Sequence, residues 1–276
     1  MLQIKRGTAA IMNNIRPMRI VMLRYRTLLF SIISALAIVV AGCEDNPTTT
    51  PTERTAFGAS SSISGGAVRS FVTLDKDGNP KAMGLRISET TVNGMHSNGG
   101  GGHSHDDMHD IALPAEAAKT PVEHISLDWN PEGHEPAGIY DTAHFDMHFY
   151  TVAKSARMTW DMQGEDAARL TKVPAATLVP PGYVMGPPVP FMGLHFVDPT
   201  SGEFGGQKFN STFIWGYYNG QQAFMEPMIT QWYLKSKTEH TQTLKLPASY
   251  TKSGLYYPTT YTIRFDASTK EHVITL

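Results

Sequence analysis

The stretch HFDMHFY at residues 144–150 alternates strictly between polar and apolar side chains. Histidine, aspartate and tyrosine stand at the even positions, and phenylalanine and methionine stand at the odd ones. A period of two is typical of a β-strand that packs one face into an apolar core and presents polar groups on the other. A helix would also put His144 and His148 on one face, but it would scatter the three apolar residues around its axis. The stretch therefore predicts a strand.

Three hairpins are predicted from turn residues that separate strand-like runs. The clearest spans residues 212–225, where Asn219 and Gly220 supply the positive φ angles that a type I′ turn requires. The other two join residues 68–74 to 82–87 and residues 261–265 to 272–276. Further strands are expected at 122–129, 144–152, 191–197 and 243–246, and helices only near 164–170 and 230–237.

The composition also favours a β protein with many loops. The 276 residues include 24 Gly and 18 Pro, and only 17% are charged. Because proline cannot donate to a strand ladder, the proline-rich segment 173–190 is expected to be an ordered but irregular crossing. We predict a mainly β chain, with residues 65–276 forming a single antiparallel β barrel or sandwich with one or two short helices.

The charge balance and the cysteine count exclude several classes of protein. The chain has 23 Lys and Arg against 25 Asp and Glu, and it has one Cys. Nucleic-acid binding needs clustered basic residues, and the region after residue 43 has no such block. A single cysteine excludes a disulfide framework and every multi-cysteine zinc or iron–sulfur site.

The basic residues are unevenly distributed, and this indicates export. Residues 1–42 contain six of them and no acidic residue, so the rest of the chain is acidic. A mostly apolar run follows at 28–40, which is shorter than the ~20 residues that a transmembrane helix needs. A basic segment, a short apolar run and small residues before a cleavage site are typical of a secretory signal peptide.

The end of this segment resembles the signal of bacterial lipoproteins. Val40-Ala41-Gly42 matches the lipobox, and Cys43 stands where the family carries its lipidated cysteine. The resemblance implies a diacylated Cys43, a membrane as partner through the lipid, and a location in the bacterial cell envelope outside the cytoplasm. The Thr/Pro-rich segment 43–64 is then a tether. The alternative is an uncleaved signal anchor in which Cys43 is an idle thiol.

A first group of histidines lies in a Gly-rich loop at residues 94–110. Four imidazoles and three carboxylates there could gather around Zn²⁺, Cu²⁺ or Ni²⁺. The alternative is a solvated low-complexity insertion that binds nothing. The four histidines of this secondary metal loop are His96, His103, His105 and His109.

A second group of potential metal ligands centres on the strand at 144–150. At ~3.3 Å per residue, His144 and His148 are ~13 Å apart, too far to share one metal unless a bulge bends the strand. Asp146 can pair with either histidine. The site could be completed from elsewhere in the chain by His134, His195 and Glu226. A mixed His and carboxylate site with an open position is typical of hydrolytic zinc and of iron that handles oxygen.

The same residues could instead form a buried hydrogen-bond network without a metal. In that interpretation Asp146 orients a histidine and Tyr150 caps it. Asp128 and Asp141 could join either arrangement.

Six motifs resemble an uncharacterised bacterial family of exported, often lipid-anchored proteins that carry a domain of unknown function. The likeness runs from about residue 65 to the C-terminus, and it implies kinship without an established activity. The motifs are GHEP at 133–136, HFDMHFY at 144–150, PGY at 181–183, MGLH at 192–195, EPMIT at 226–230 and YPT at 257–259.

Two functional hypotheses follow. In the first, the protein is an envelope lipoprotein that binds a divalent metal, Zn, Cu, Ni or Fe, on a His/Asp strand face. In the second, it is a non-catalytic lipoprotein that binds a small molecule or an envelope protein, and its histidines are structural. Cupins hold a metal with His-x-His followed by a Glu a few residues later, and this pattern does not fit the His-x-Asp-x-His of residues 144–148. The nucleophile elbow, Walker loop, His-Glu-x-x-His and dinucleotide motifs are also absent from the sequence.

Overall fold

The computed structural model describes residues 52–96 and 108–276, which form two antiparallel sheets of seven strands each. The first sheet contains β1 (Arg54–Phe57), β2 (Ser61–Ile63), β3 (Gly66–Leu74), β4 (Pro80–Ser88), β12 (His240–Thr243), β13 (Thr260–Asp266) and β14 (Glu271–Thr275). The second contains β5 (Met108–Ile111), β6 (His124–Asn130), β7 (His144–Tyr150), β8 (Val184–Val189), β9 (Gly193–Val197), β10 (Ser211–Tyr218) and β11 (Gln221–Thr230).

Strand order places β7 near the middle of the second sheet. The first sheet runs β1-β3-β4-β14-β13-β12, with β2 beside β3, and the second runs β5-β6-β7-β11-β10-β9-β8. The described residues include four short α-helices between strands: α1 (Glu89–Gly94), α2 (Lys154–Arg157), α3 (Glu165–Leu170) and α4 (Gln231–Ser236). The two predicted helices correspond to α3 and α4. No described helix is both long enough and apolar enough to cross a membrane.

The three predicted hairpins are confirmed. They are β3–β4, β10–β11 and β13–β14. At the β10–β11 turn, φ is +48° at Asn219 and +74° at Gly220, as a type I′ turn requires. The paired strands therefore follow from local turn chemistry.

Three sequence predictions of local structure differ from the fold. The strand expected at 243–246 lies earlier, at β12, because its partner β13 begins only after Pro258, which has no N–H to continue the ladder. The proline-rich segment 173–190 contains β8, an edge strand whose register shifts between Met185 and Pro188. Strand structure begins at Arg54 rather than at residue 65, since β1 pairs with β3 and β2 follows it.

The core between the two sheets shows that the fold is a sandwich. Neither sheet closes on itself, so the barrel alternative is not formed. One cluster of buried side chains joins residues of both sheets, such as Leu85 and Ile274 from the first and Met147 and Phe149 from the second. Burying each such side chain stabilises the fold by roughly 1.5–3 kcal/mol.

The outer face of the second sheet is buried as well. A second apolar cluster covers it, and its members include Tyr140, Trp160 and Phe209 from the segments between strands. All seven residues of β7 are buried as a result. Both cores lie within Thr49–Leu276, which forms a compact unit by itself.

Candidate metal centre

Strand register brings the polar residues of three neighbouring strands together on the outer face of the second sheet. The odd residues of β7, such as Met147, enter the core between the sheets, and the even residues point the other way. Asp146 lies opposite Asp128 of β6 and Met228 of β11. The same register sets Glu226 of β11 across from His148. The alternation in HFDMHFY therefore becomes a row of polar groups beneath the covering loops.

The first group of potential ligands is the Asp146 triad, which consists of His134, His144 and Asp146. The Asp146 carboxylate lies 3.1 Å from His144 Nε2 and 3.3 Å from His134 Nε2. His134 comes from the loop after β6, where its backbone N–H donates to the Tyr140 carbonyl at 3.2 Å. His144 and Asp146 are buried, whereas the His134 side chain keeps 20% of its surface exposed.

The second group is the Glu226 triad, which consists of His148, His195 and Glu226. The Glu226 carboxylate lies 3.4 Å from His148 Nε2 and 3.6 Å from His195 Nε2. His195 is on β9, where it lies opposite Gly216 of β10. All three residues are largely buried, and the His195 side chain is 11% exposed.

In each of these histidines, the contacts of Nδ1 indicate which ring nitrogen carries the proton. Nδ1 lies 2.6 Å from the Glu135 carbonyl in His134, 2.6 Å from the Thr142 carbonyl in His144, and 3.3 Å from the Pro187 carbonyl in His195. A carbonyl oxygen only accepts, so Nδ1 carries the proton in each neutral ring. In His148, Nδ1 lies 3.0 Å from the Asp128 carboxylate, without the alignment of a hydrogen bond. When neutral, His134, His144 and His195 therefore present the Nε2 lone pair to their triads, as metal ligation requires.

Several triad atoms are buried without a hydrogen bond. They include His144 Nε2, Asp146 Oδ1, His148 Nε2 and Glu226 Oε2. Although His144 Nε2 and Asp146 Oδ1 are only 3.1 Å apart, the contact lacks hydrogen-bond geometry. A buried polar atom left unsatisfied costs about 1–3 kcal/mol. A cation held between these lone pairs would satisfy them together, so the donor set fits a metal.

Electrostatic interactions strongly shift the pKa values of Asp146 and His134. Burial by itself would raise the pKa of Asp146, but the charge of His144, together with the hydrogen bond and charge of His134, holds it well below the usual value. Burial by itself would lower the pKa of His134, but the hydrogen bond and charge of Asp146 raise it to about 9. Because this pKa lies above neutral pH, a metal ion that binds here must displace the proton of His134.

The pKa values of the Glu226 triad shift in different directions. Burial raises the pKa of Glu226 to about 8, and the negative charge of Asp146 adds to that rise. For His148, burial is outweighed by the charge of Glu226 and by Asp128, and the pKa rises to about 9. For His195, burial and the charge of His148 lower the pKa to about 3, so this ring is neutral at physiological pH.

Residues around the triads hold the ligands in place. Asn130 Nδ2 donates to Asp146 Oδ2 at 2.7 Å, and the Ser126 hydroxyl donates to the Asp128 carboxylate. The Tyr150 ring stacks on His148, with 5.2 Å between centroids. Sequence reasoning named Asp128 and Tyr150 but missed Asn130 and Ser126. The even positions of β6 carry polar residues as those of β7 do, and that alternation was the available signal.

Both triads open into one cavity of about 380 Å³. Its lining includes His134 and Asp146 from one triad and His195 and Glu226 from the other. A ligand in this cavity could therefore reach both triads at once.

The structure divides the six predicted ligands between two triads rather than one site. His144 and His148 fall into different triads, as their spacing on a strand predicts, and of the two chelating pairs only His144 with Asp146 shares a triad. Asp141 is exposed, and its carboxylate accepts from the Gly138 N–H instead of facing the centre.

The secondary metal loop is only partly within the described residues. His96 is exposed after α1, and His109 is half-buried on β5; neither belongs to a triad. His103, His105 and the predicted lipidation site Cys43 lie outside the described residues.

Comparison with known proteins adds a partial family match. A family model described as TTHB210-like, hypothetical protein TTHB210, matches residues 75–129. This region, about a fifth of the chain, includes Asp128 but none of the six triad residues. No curated protein and no solved structure gives a significant match to the chain. The function must therefore be argued from the geometry of the centre.

Proposed function

We propose that this protein is a metalloprotein of the bacterial cell envelope that holds two divalent transition-metal ions, one in each triad. The observation that carries the proposal is the convergence of four histidine Nε2 atoms on two buried carboxylates, with both triads open to one cavity. Each triad supplies two imidazoles and one carboxylate, a ligand set used by hydrolytic zinc and by non-haem Fe(II). Three protein ligands leave a position open on each ion.

The contacts around the triads favour metal ligation over a structural network. In a network of hydrogen bonds, the buried nitrogens and oxygens would be aligned as donors and acceptors. His144 Nε2, His148 Nε2 and Glu226 Oε2 have no such partner. Nδ1 anchoring to backbone carbonyls, as in His134 and His144, is also the support that metal-bound histidines commonly have.

The location belongs to the same proposal and rests on the sequence. The basic segment, the short apolar run and the lipobox-like Val40-Ala41-Gly42-Cys43 support export and acylation of Cys43. The lipid would hold the sandwich on a membrane surface, so the ions would come from the medium outside the cytoplasm. Mass spectrometry of the intact protein from a bacterial membrane fraction tests this, and an unprocessed N-terminus would contradict it.

The metal content of the purified segment 49–276, prepared without a histidine tag, tests the proposal. The protein is stripped with chelator, dialysed against Zn²⁺, Cu²⁺, Ni²⁺ or anaerobic Fe²⁺, washed, and analysed by inductively coupled plasma mass spectrometry. We expect two ions per chain for at least one metal. His144→Ala and His148→Ala should each lose one of the two, because they remove a ligand from different triads.

Two controls make the result specific. His124→Gln changes a histidine of the same sheet face that belongs to neither triad, so it should keep both ions. Replacing residues 97–107 with a Gly/Ser linker removes the two central histidines of the secondary metal loop and should also keep both. Absence of retained metal in protein with a native circular dichroism spectrum would refute the proposal. Metal lost only on loop replacement would assign binding to the loop instead.

A further inference from the structure

The cavity in front of the triads has polar groups on its floor and apolar side chains on its walls. The floor carries Asp146 and Glu226 from β7 and β11. The walls include Pro187, Val189, Met192, Val197, Ile214 and Met228. At about 380 Å³ the cavity falls within the range of small-molecule pockets, which is ~300–1,000 Å³. Its shape and lining suit a molecule with one polar end and an apolar body.

The net charge of the cavity floor with metal bound determines which polar group a ligand should carry. No Lys or Arg is among the residues that line the cavity. Two divalent cations bring four positive charges, whereas Asp146, Glu226 and the adjoining Asp128 supply three negative ones. The rim residue Glu135 is exposed, so solvent screens its charge. The remaining positive charge and the open coordination positions both favour an anion with oxygen donors.

Ligands from both triads line the cavity at the points where the triads reach solvent. The partly exposed side chains among the ligands are His134 and His195, and both line the cavity. A ligand whose polar end reached the triads would have apolar wall residues such as Val197 and Ile214 beside its remaining part.

We infer that the cavity binds a small monocarboxylate with an apolar tail, whose carboxylate coordinates the triad-bound metal while the tail packs against the walls. This inference rests on the proposed metal centre. The carboxylate replaces solvent at the open positions, and the tail is stabilised by ~25 cal/mol for each Å² of apolar surface it buries. Neither end alone accounts for the whole affinity.

Isothermal titration with octanoate tests the inference on the segment 49–276 with its metal content measured in the same sample. With two Zn²⁺ ions per chain, we expect octanoate to bind at least tenfold more tightly than acetate, which lacks the tail, or 1-octanol, which lacks the carboxylate. Metal-free protein should bind octanoate at least tenfold more weakly. In the Co²⁺-loaded protein, octanoate should shift the visible absorption bands, because a carboxylate oxygen enters the coordination sphere.

Substitutions on the wall separate this inference from the metal centre itself. Val197→Glu puts a charge beside the tail and should weaken octanoate binding at least tenfold without loss of metal. Val173→Glu, at an exposed position that does not line the cavity, is the matched control and should change neither. If two ions load but octanoate binds no better than acetate, the inference is wrong and the metal centre stands. If no metal loads, both fall.

Discussion

At the scale of single residues, Asp128 on β6 supports the proposed metal ligand His148 on the neighbouring strand β7. It lies opposite Asp146 in the sheet, but its carboxylate faces His148 Nδ1 at 3.0 Å. A carboxylate behind an imidazole fixes the tautomer and raises the basicity of the nitrogen that faces the metal. Ser126 in turn donates to this carboxylate.

Asp128→Asn should therefore weaken metal binding at the Glu226 triad by about 10–100-fold, as loss of such partners typically does. Binding at the Asp146 triad should stay nearly unchanged, since its histidines are anchored by backbone carbonyls. A competition titration with a chromophoric chelator measures both affinities. Ser126→Ala, which removes only the hydroxyl behind Asp128, is the control and should have a smaller effect. Equal affinities in wild type and Asp128→Asn would contradict this role.

At the scale of elements, the β10–β11 hairpin positions Glu226. β11 pairs with β10 on one side and β7 on the other, so the hairpin register decides which residue meets His148. The register depends on the two-residue turn, in which Gly220 has φ of +74°.

Gly220→Ala should lower the free energy of unfolding by about 1–2 kcal/mol, because an L-residue is strained in the left-handed region. A β-carbon at this position would meet ordinary contacts of 3.6 Å or more, so backbone strain accounts for the loss rather than a clash. Urea denaturation measures the change. Gly205→Ala is the control, since its β-carbon would meet nothing within 4 Å and its φ is not positive. Equal losses in the two variants would show that strain at the turn is not the cause.

At the scale of the whole molecule, the sandwich buries ionisable groups outside the metal centre too. His272 of β14 is 2% exposed and packs against Phe265, with 4.9 Å between ring centroids. Burial lowers its pKa from 6.5 to about 4; the charge of Glu89 opposes this shift and that of Lys237 adds to it. Between pH 6.5 and about 4, the His272 side chain is therefore protonated in the unfolded chain but neutral in the folded protein.

Folded stability should consequently fall as the pH drops from about 6.5 to about 4, and it should be regained above 6.5. One pKa unit corresponds to ~1.4 kcal/mol, so His272→Gln should reduce the pH-dependent loss by about 2–3 kcal/mol. Urea denaturation at several pH values, with EDTA present to keep the triads free of metal, measures the difference. Parallel stability curves for the two proteins would show that His272 does not contribute.

Local sequence patterns predicted the elements that depend on neighbouring residues. The alternation at 144–150 and the Asn219-Gly220 turn identified β7 and the β10–β11 hairpin, because side-chain period and turn conformation are local properties. The strand at 243–246 was misplaced, since the end of its ladder is set by Pro258 in a distant partner. The prolines of β8 likewise prevented its prediction as a strand. The sheet accommodates them because β8 is an edge strand.

For the candidate site, the sequence by itself determined the ligand types and the separation of His144 from His148, because a strand has a constant rise per residue. Only the tertiary structure decided how those ligands divide. His195 and Glu226 join His148 through the register of β9, β10 and β11, and His134 reaches Asp146 from a loop. Only the fold also shows that covering segments bury this polar face, because a period of two records that a strand has two faces but not what packs on each.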